Sequence, residues 1–406
     1  MDTELREGIH WVGYVDWNVR DFHGYRTRSG STYNSYLISD TKTAIIDAVK
    51  APYAQRLLKN IQAHTSLDKI DYLVVNHAEP DHSGGVPAVM AACPNATLVC
   101  DAKCKTALDR HYDTAGWTFH IVKSGDSLSL GSRTLQFIET PMVHWPESMF
   151  TYIPEEKLLF SMDAFGQHYA SGGRFDDEEP FDVVLHEAKT YFANIVMLYT
   201  RPIRNTMKAA AGLDIEIIAP SHGVIWRTHV SRILKAYHDW THHKPLRKVL
   251  VVYDTMWRST ELMADAIVEG VQEADVDVRV YNVNAAHITE LATEVLEAAG
   301  VAVGSPTLNM TLMPQMACLL TYWKGLRPAE KVGFAFGSYG WSKNGGPTEV
   351  ESYLKEMKFD LVRPAMHVQF VPSEEDLEAC REAGRLLAQK AIENYDRLHE
   401  TTGDMK

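Results

Sequence analysis

The stretch Val74–Gly85 reads VVNHAEPDHSGG and gathers His77, Glu79, Asp81 and His82 within six positions, directly behind a run of β-branched residues. Strand formers followed by such residues place the side chains on a loop at the strand's C-terminal end. Strand alternation sends His77, Glu79 and Asp81 the same way if the loop stays extended, with His82 turned the other way. Carboxylates packed together repel unless a cation or a proton stands between them. The cluster therefore points to metal. Gly84 and Gly85 then permit a tight turn into a helix.

Working outward, three more candidates stand just after expected strands. His144 lies in ETPMVHWPES after residues 135–138, Asp163 in LLFSMDAFG after residues 158–161, and His222 in EIIAPSHGVIW after residues 215–219. A lone histidine in such a place is ordinarily a satisfied polar residue, but four strand ends feeding one rim form a pattern. Four imidazoles and three carboxylates give two metals four protein contacts each if one carboxylate bridges. Zinc hydrolases prefer imidazole or thiolate with few oxygens, whereas a mixed nitrogen and carboxylate set leaves room for redox-active iron. A bridging carboxylate is also a feature of di-iron sites, there on helices.

Residues 9–218 read as many short strands with some helices, including hairpins around 39–42 and 154–157. That grammar suggests two packed sheets with helices outside, an α+β sandwich. The apolar pattern lapses at Thr241-His242-His243-Lys244-Pro245, which divides the chain into domains 1–244 and 245–406. Beyond it, five strands alternate with five helices, which means a doubly wound parallel sheet. The net charge of −13 argues against non-specific nucleic-acid binding. No run approaches the roughly 20 apolar residues that span a bilayer, and no signal peptide is visible. The five cysteines, with no paired Cys-x-x-Cys spacing, read as reduced thiols in a cytoplasm. Cys100 and Cys104 by themselves make an incomplete metal site.

In the second domain, VVYDTMWRSTELMADAI reads as strand, loop and helix. Its loop supplies Thr255, Met256, Trp257, Arg258, Ser259 and Thr260, with hydroxyls and backbone N–H groups at a helix start suited to a phosphate dianion. The absence of Gly-x-Gly-x-x-Gly makes a dinucleotide reading weak. VGSPTLNM adds Pro306, Thr307, Leu308 and Asn309, and FGSYGWSKNGG adds Ser338, Tyr339, Gly340 and Trp341. Both loops follow strand C-termini, where such sheets bind ligands, and Tyr339 and Trp341 could flank a planar ring by stacking. Two features stand out: Arg258, where a small residue would ease loop curvature, and Lys343-Asn344 before Gly345-Gly346.

HAEPDH, with His144, Asp163 and His222 downstream, resembles the metallo-β-lactamase fold as modified in flavodiiron proteins. Hydrolases of that fold carry His-x-His-x-Asp-His; here Glu79 replaces the second histidine, as in the diiron branch. The three loops of the second domain resemble a flavodoxin, in the order found in the same family. The likeness covers roughly residues 5–395. It implies an αββα sandwich followed by a flavodoxin-like domain, with two irons and FMN. His77, Glu79 and His144 would hold one iron, Asp81, His82 and His222 the other, and Asp163 would bridge. DWNVRDFHGY, STYNSYL, HWPESMF, DAFGQH and YFAN are also similar to the family and suggest His23, His168 and Tyr191 as pocket groups.

The implied activity is reduction of dioxygen to water or of nitric oxide to nitrous oxide. Electrons would come through FMN from a separate donor, rubredoxin or a reduced deazaflavin coenzyme. A head-to-tail homodimer, or a dimer of dimers, would bring one subunit's flavin to the other's irons. Two other readings stand beside this one: a zinc-dependent hydrolase with an appended flavodoxin module, against which Glu79 speaks, and a non-enzymatic sensor of nitric oxide or oxygen, for which no output helix or basic patch is found.

Overall fold

A computed structural model describes residues 3–401. They separate into two compact units. One runs to Phe192 and resumes at Tyr199–Tyr237; the other takes Ala193–Leu198 and everything from His238 on. The expected break at 241–245 thus lies a few residues past the point where the second unit begins.

In the first unit, short apolar strands form a seven-stranded and a five-stranded sheet. Ile9, Ile38, Ile46, Val74 and Val99 from the first sheet pack against Leu135, Phe137, Met149, Phe160 and Ile217 from the second. The strands contribute alternate side chains to this core, and most are buried on their other face as well. The expected hairpins are present: Tyr36–Ile38 pairs antiparallel with Thr43–Ile46, and Met149–Ile153 with Leu158–Met162. At the first hairpin, residues 31–38 form two strands, not one. Ser31–Tyr33 pairs with Tyr14–Asp16 in a small separate sheet. Asn34 and Ser35 break the run because their side chains bond backbone carbonyls of other elements, Asn34 those of Pro220 and Gly223, Ser35 that of Asp47.

In the second unit, five parallel strands run in the order Asp277–Asn282, Lys248–Tyr253, Gly300–Gly304, Val332–Tyr339 and Met366–Gln369, with the short Asp360–Leu361 also on the fourth. The order reverses beside the first strand, so the crevice above Lys248–Tyr253 and Gly300–Gly304 is the expected ligand position. Apolar residues cover both faces of this sheet, as buried parallel strands require. The long helix Glu374–Thr401 begins with a reciprocal cap: Ser373 N donates to Asp376 Oδ2 at 2.9 Å, and Asp376 N to Ser373 Oγ at 3.2 Å. It packs backbone to backbone on the helix Ser259–Gln272 through Gly270 and Gly384; a Cβ on Gly270 would stand 2.0 Å from the Arg381 carbonyl oxygen. Among the described residues no helix is long and apolar enough to cross a membrane.

Candidate metal centre and cofactor cavity

Four strands of the first unit, Ile70–Val74, Thr134–Glu139, Leu158–Met162 and Ile217–Pro220, precede the segments that carry the seven candidate ligands. The first segment is pinned at its start. Asn76 donates from its backbone and its side chain to the Asp47 carboxylate at 2.7 and 3.1 Å, and accepts from Thr151 at 2.7 Å. It does not stay extended. Pro80 at the first helical position presets φ, and Pro80–Ser83 forms a short helix. Asp81 and His82 therefore travel together, and the alternation expected for Asp81 fails. The resulting sets are His77, Glu79, His144 and Asp163, and Asp81, His82 and His222, with the ligand atoms of each set within 4.8 Å of one another.

Asp163 stands between the sets. Its Oδ2 is 3.0 Å from His144 Nε2 and 3.4 Å from His77 Nε2; its Oδ1 is 3.0 Å from His82 Nε2 and 3.5 Å from His222 Nε2. Glu79 Oε2 lies 3.2 Å from both His77 and His144, and Asp81 Oδ2 lies 3.1 Å from His222. Asp81 Oδ1, His82 Nε2 and Asp163 Oδ1 are buried yet make no hydrogen bond of proper geometry. Donor atoms that converge without bonding one another are arranged for a cation. The electrostatics agree. Burial opposes ionisation of Glu79, Asp81 and Asp163, but the facing imidazoles hold all three below the usual carboxylate range. Burial likewise opposes charge on His82, yet Asp81 and Asp163 raise it to about 9. The set demands positive charge, from protons or from metal, and its mixed nitrogen and carboxylate donors leave room for iron.

A second layer aims the imidazoles. Glu147 accepts from His77 Nδ1 at 2.9 Å and from Ala78 N at 3.1 Å, and the Thr32 carbonyl accepts from His222 Nδ1 at 2.6 Å. Both contacts leave Nε2 as the ligand atom. Sequence reasoning missed Glu147. It lies three residues after His144, but its target His77 is 70 positions away, and no local pattern marks that. His168 Nε2 lies 2.5 Å from Tyr25 Oη and its Nδ1 2.7 Å from Ser31 Oγ, with its ring 4.8 Å from that of His222. Burial first, and His222 second, push its pKa well below the ordinary value, so the ring is neutral. Tyr191 packs against His168 and His222 at 5.0 and 6.0 Å between centroids, and burial keeps its phenol protonated. His23, two-thirds exposed, reaches Glu79 Oε1 at 3.0 Å.

In the second unit, the three expected loops enclose a cavity of about 600 Å³. Met256, Trp257, Ser259, Pro306, Thr307, Leu308, Asn309, Ser338, Tyr339, Gly340 and Trp341 line it; Thr255, Arg258 and Thr260 do not. Arg258 sits in the left-handed region at φ 70°, and its Nε donates to Glu261 at 2.9 Å. Thr260 Oγ1 lies 3.1 Å from Ser338 Oγ beneath the loop. Phe370 and Val371 also line the cavity, from the loop after the last strand, which strand-end reasoning could have included. Trp257 and Trp341 are 89% and 93% exposed. The fit to a flavin phosphate rests on two observations. The helix Ser259–Gln272 has no side-chain cap on its first N–H groups. The hydroxyls of Thr255 and Thr307 are buried without partners. Gly345, at φ 107°, packs its loop on residues 310–311, where a Cβ would stand 2.7 Å from the Met310 carbonyl carbon.

Comparison with known proteins agrees with both domains. Residues 32–223 match the ODP family beta lactamase model, and residues 251–384 the flavodoxin model. A nitric oxide reductase of Moorella thermoacetica is 44% identical over 95% of this chain and 97% of its own length. The crystal structure of the flavodiiron protein from Giardia intestinalis superimposes with a TM-score of 0.95 at 39% identity, covering 98% of each chain. The rubredoxin oxygen:oxidoreductase of Desulfovibrio gigas gives 0.94 at 38%, covering 97% of this chain and 99% of that one. The chain belongs to the flavodiiron proteins, oxidoreductases that join a β-lactamase-like diiron domain to a flavodoxin-like FMN domain.

Proposed function

We propose that the chain reduces dioxygen to water, nitric oxide to nitrous oxide, or both, at two irons. His77, Glu79 and His144 hold one, Asp81, His82 and His222 the other, and Asp163 is shared. The observation that carries this reading is Asp163, whose two oxygens face different pairs of imidazoles. When bound, the irons supply a redox-active site for a diatomic ligand, and FMN resupplies their electrons.

The chain's own residues prepare that site. Glu147 and the Thr32 carbonyl hold the Nδ1 protons of His77 and His222, so that both rings present Nε2 inward. The neutral His168 adds no charge beside the cluster. Tyr191 keeps its phenolic proton against His222, and His23 stands at the exposed side of Glu79. The buried walls exclude bulk water, which strengthens each of these contacts. Fast electron supply from a flavin limits the escape of partly reduced oxygen.

Electrons enter through FMN from a donor. Rubredoxin is the first choice, supported by the name of the Desulfovibrio gigas neighbour; a reduced deazaflavin coenzyme is the rival. The working unit is a head-to-tail homodimer or a dimer of dimers in the cytoplasm. The test is anaerobic iron loading, metal and FMN analysis, then steady-state rates with each donor and each diatomic substrate. Two irons per chain with donor-linked consumption of dioxygen or nitric oxide support the reading. Retention of a single metal, or of zinc with thioester turnover, sinks it.

A further inference from the structure

Behind the second candidate ligand set, three tyrosines stand in file. The Tyr33 ring meets His222 edge-on at 5.9 Å between centroids, Tyr53 stacks on Tyr33 at 5.5 Å, and Tyr14 stacks on Tyr53 at 3.8 Å. Tyr14 in turn lines an open cavity of about 770 Å³ together with Trp11 and the exposed Trp17. An unbroken series of aromatic rings therefore runs from a candidate iron ligand to solvent.

Packing alone does not account for the hydroxyls. The Tyr33 Oη is fully buried and has no hydrogen-bond partner, where a phenylalanine would pack without that cost. Tyr53 is different. Its hydroxyl donates to Asp16 Oδ2 at 2.7 Å. Asp16 is itself buried, and its Oδ1 accepts from Asn18 N and Val19 N at 3.0 and 3.1 Å, which fixes the carboxylate in place. A phenol that loses an electron becomes a strong acid and must shed its proton. Tyr53 has a base in position to take it, and Tyr33 has none. Tyr33 can pass an electron but cannot keep the vacancy; Tyr53 can.

We propose that Tyr33, Tyr53 and Tyr14 form an electron relay that supplies the metal centre when flavin electrons run short. This rests on the diiron reading above. Reduction of dioxygen to water takes four electrons and four protons. Two ferrous ions supply two of the electrons, and with oxidised FMN the other two are missing. Tyr53 gives up one electron, which crosses Tyr33 and His222 to the centre. Its O–H bond breaks, the proton passes to Asp16 Oδ2, and a neutral tyrosyl radical remains. The protons that complete water come from solvent. A one-electron reductant of the ascorbate or thiol class, arriving at the Tyr14 cavity, restores one electron, and Asp16 returns the proton. Two such passes close the count. The relay protects the site from an oxidant left half reduced.

The experiment uses the full chain loaded with two irons, its irons reduced and its FMN oxidised, mixed with dioxygen and frozen for electron paramagnetic resonance. The expected result is a tyrosyl signal whose hyperfine pattern changes when ring-deuterated tyrosine is incorporated. The signal is lost in Tyr53→Phe. In Tyr14→Phe it persists, but ascorbate no longer quenches it. Iron content and donor-supported turnover stay unchanged in both variants. The isotope experiment on the unaltered chain stands even if a variant fails to fold. A loaded chain that consumes dioxygen without a tyrosyl signal, or a signal that survives in Tyr53→Phe, overturns the relay and leaves the diiron reading intact. A chain that retains no iron pair overturns both.

Discussion

The metal rim and the flavin cavity occupy the same topological place, the loops after strand C-termini, and are made of opposite materials. At the rim, function resides in particular side-chain atoms. They are buried, charged and matched to one another at 3.0–3.5 Å. At the cavity it resides in backbone: an uncapped helix start, a glycine at positive φ, and loops whose largest side chains are almost wholly exposed. One site reads residue identity; the other reads chain path. If that contrast is right, single-atom changes should be severe at the rim and mild at the cavity, and changes of backbone freedom should show the reverse.

The sharpest test is Asp163→Asn. The shape is kept, one shared oxygen becomes an NH₂ group, and the negative charge between the two sets is gone. Iron affinity should fall by more than the roughly 100-fold that marks the upper range for second-layer changes. Turnover should vanish with it, while FMN content measured by absorbance stays constant. Retention of both irons by this variant would break the contrast at its strongest point. Glu147→Gln comes next. The amide oxygen still accepts from His77 Nδ1, but without charge, so iron affinity should drop on the order of 10- to 100-fold, read by competition with a chelator.

The same contrast explains what could be read from the sequence. Convergence of the seven rim side chains was legible because each follows an apolar strand and each is a residue type that is costly to bury without a partner. The hydrogen bond from His77 to Glu147 was not legible, because it depends on how two distant loops meet. Neither was the helical turn at Pro80–Ser83, where proline's preset φ overrode strand alternation and carried Asp81 to the side of His82. At the cavity, loop positions were legible from topology, but the full lining was not. Thr255, Arg258 and Thr260 fall outside the lining, although the Thr255 hydroxyl is buried and unpaired, while Phe370 and Val371 fall inside it. A loop that uses its backbone leaves little trace in residue identity.

Two variants of the flavin loops should therefore differ in an order that residue size would not suggest. Gly345→Ala adds one carbon, 2.7 Å from the Met310 carbonyl carbon at φ 107°, and should cost about 1–3 kcal/mol through backbone strain. Trp341→Ala removes a whole indole that is almost entirely exposed, and should cost no more than about 0.5–1.5 kcal/mol of ring stacking. FMN titration followed by quenching of flavin fluorescence compares them directly. A larger loss of affinity in Trp341→Ala would mean that the cavity, like the rim, is built from side chains.

The last change leaves turnover alone and appears only in stability. Buried charge at the rim is met by opposite charge; in the second unit Lys331 is buried, donates from Nζ to the Leu296 carbonyl at 2.8 Å, and has no carboxylate at ion-pair distance among the described residues. Burial first, and Lys248 second, hold its pKa at about 7 against an ordinary 10.5. The unfolded chain keeps this proton up to the higher value, while the folded chain releases it near 7. Between those two pH values the unfolded state binds more protons, so stability contributed by this group rises with pH, and its cost is fully present below 7. Lys331→Met removes the charge and leaves the Leu296 carbonyl unpaired. The net gain should be largest near pH 6, on the order of a few kcal/mol, and should fade toward pH 10. Denaturant melts followed by FMN release at several pH values measure it. A gain that does not change with pH would locate the cost in packing, and would remove Lys331 as the uncompensated counterpart of the rim.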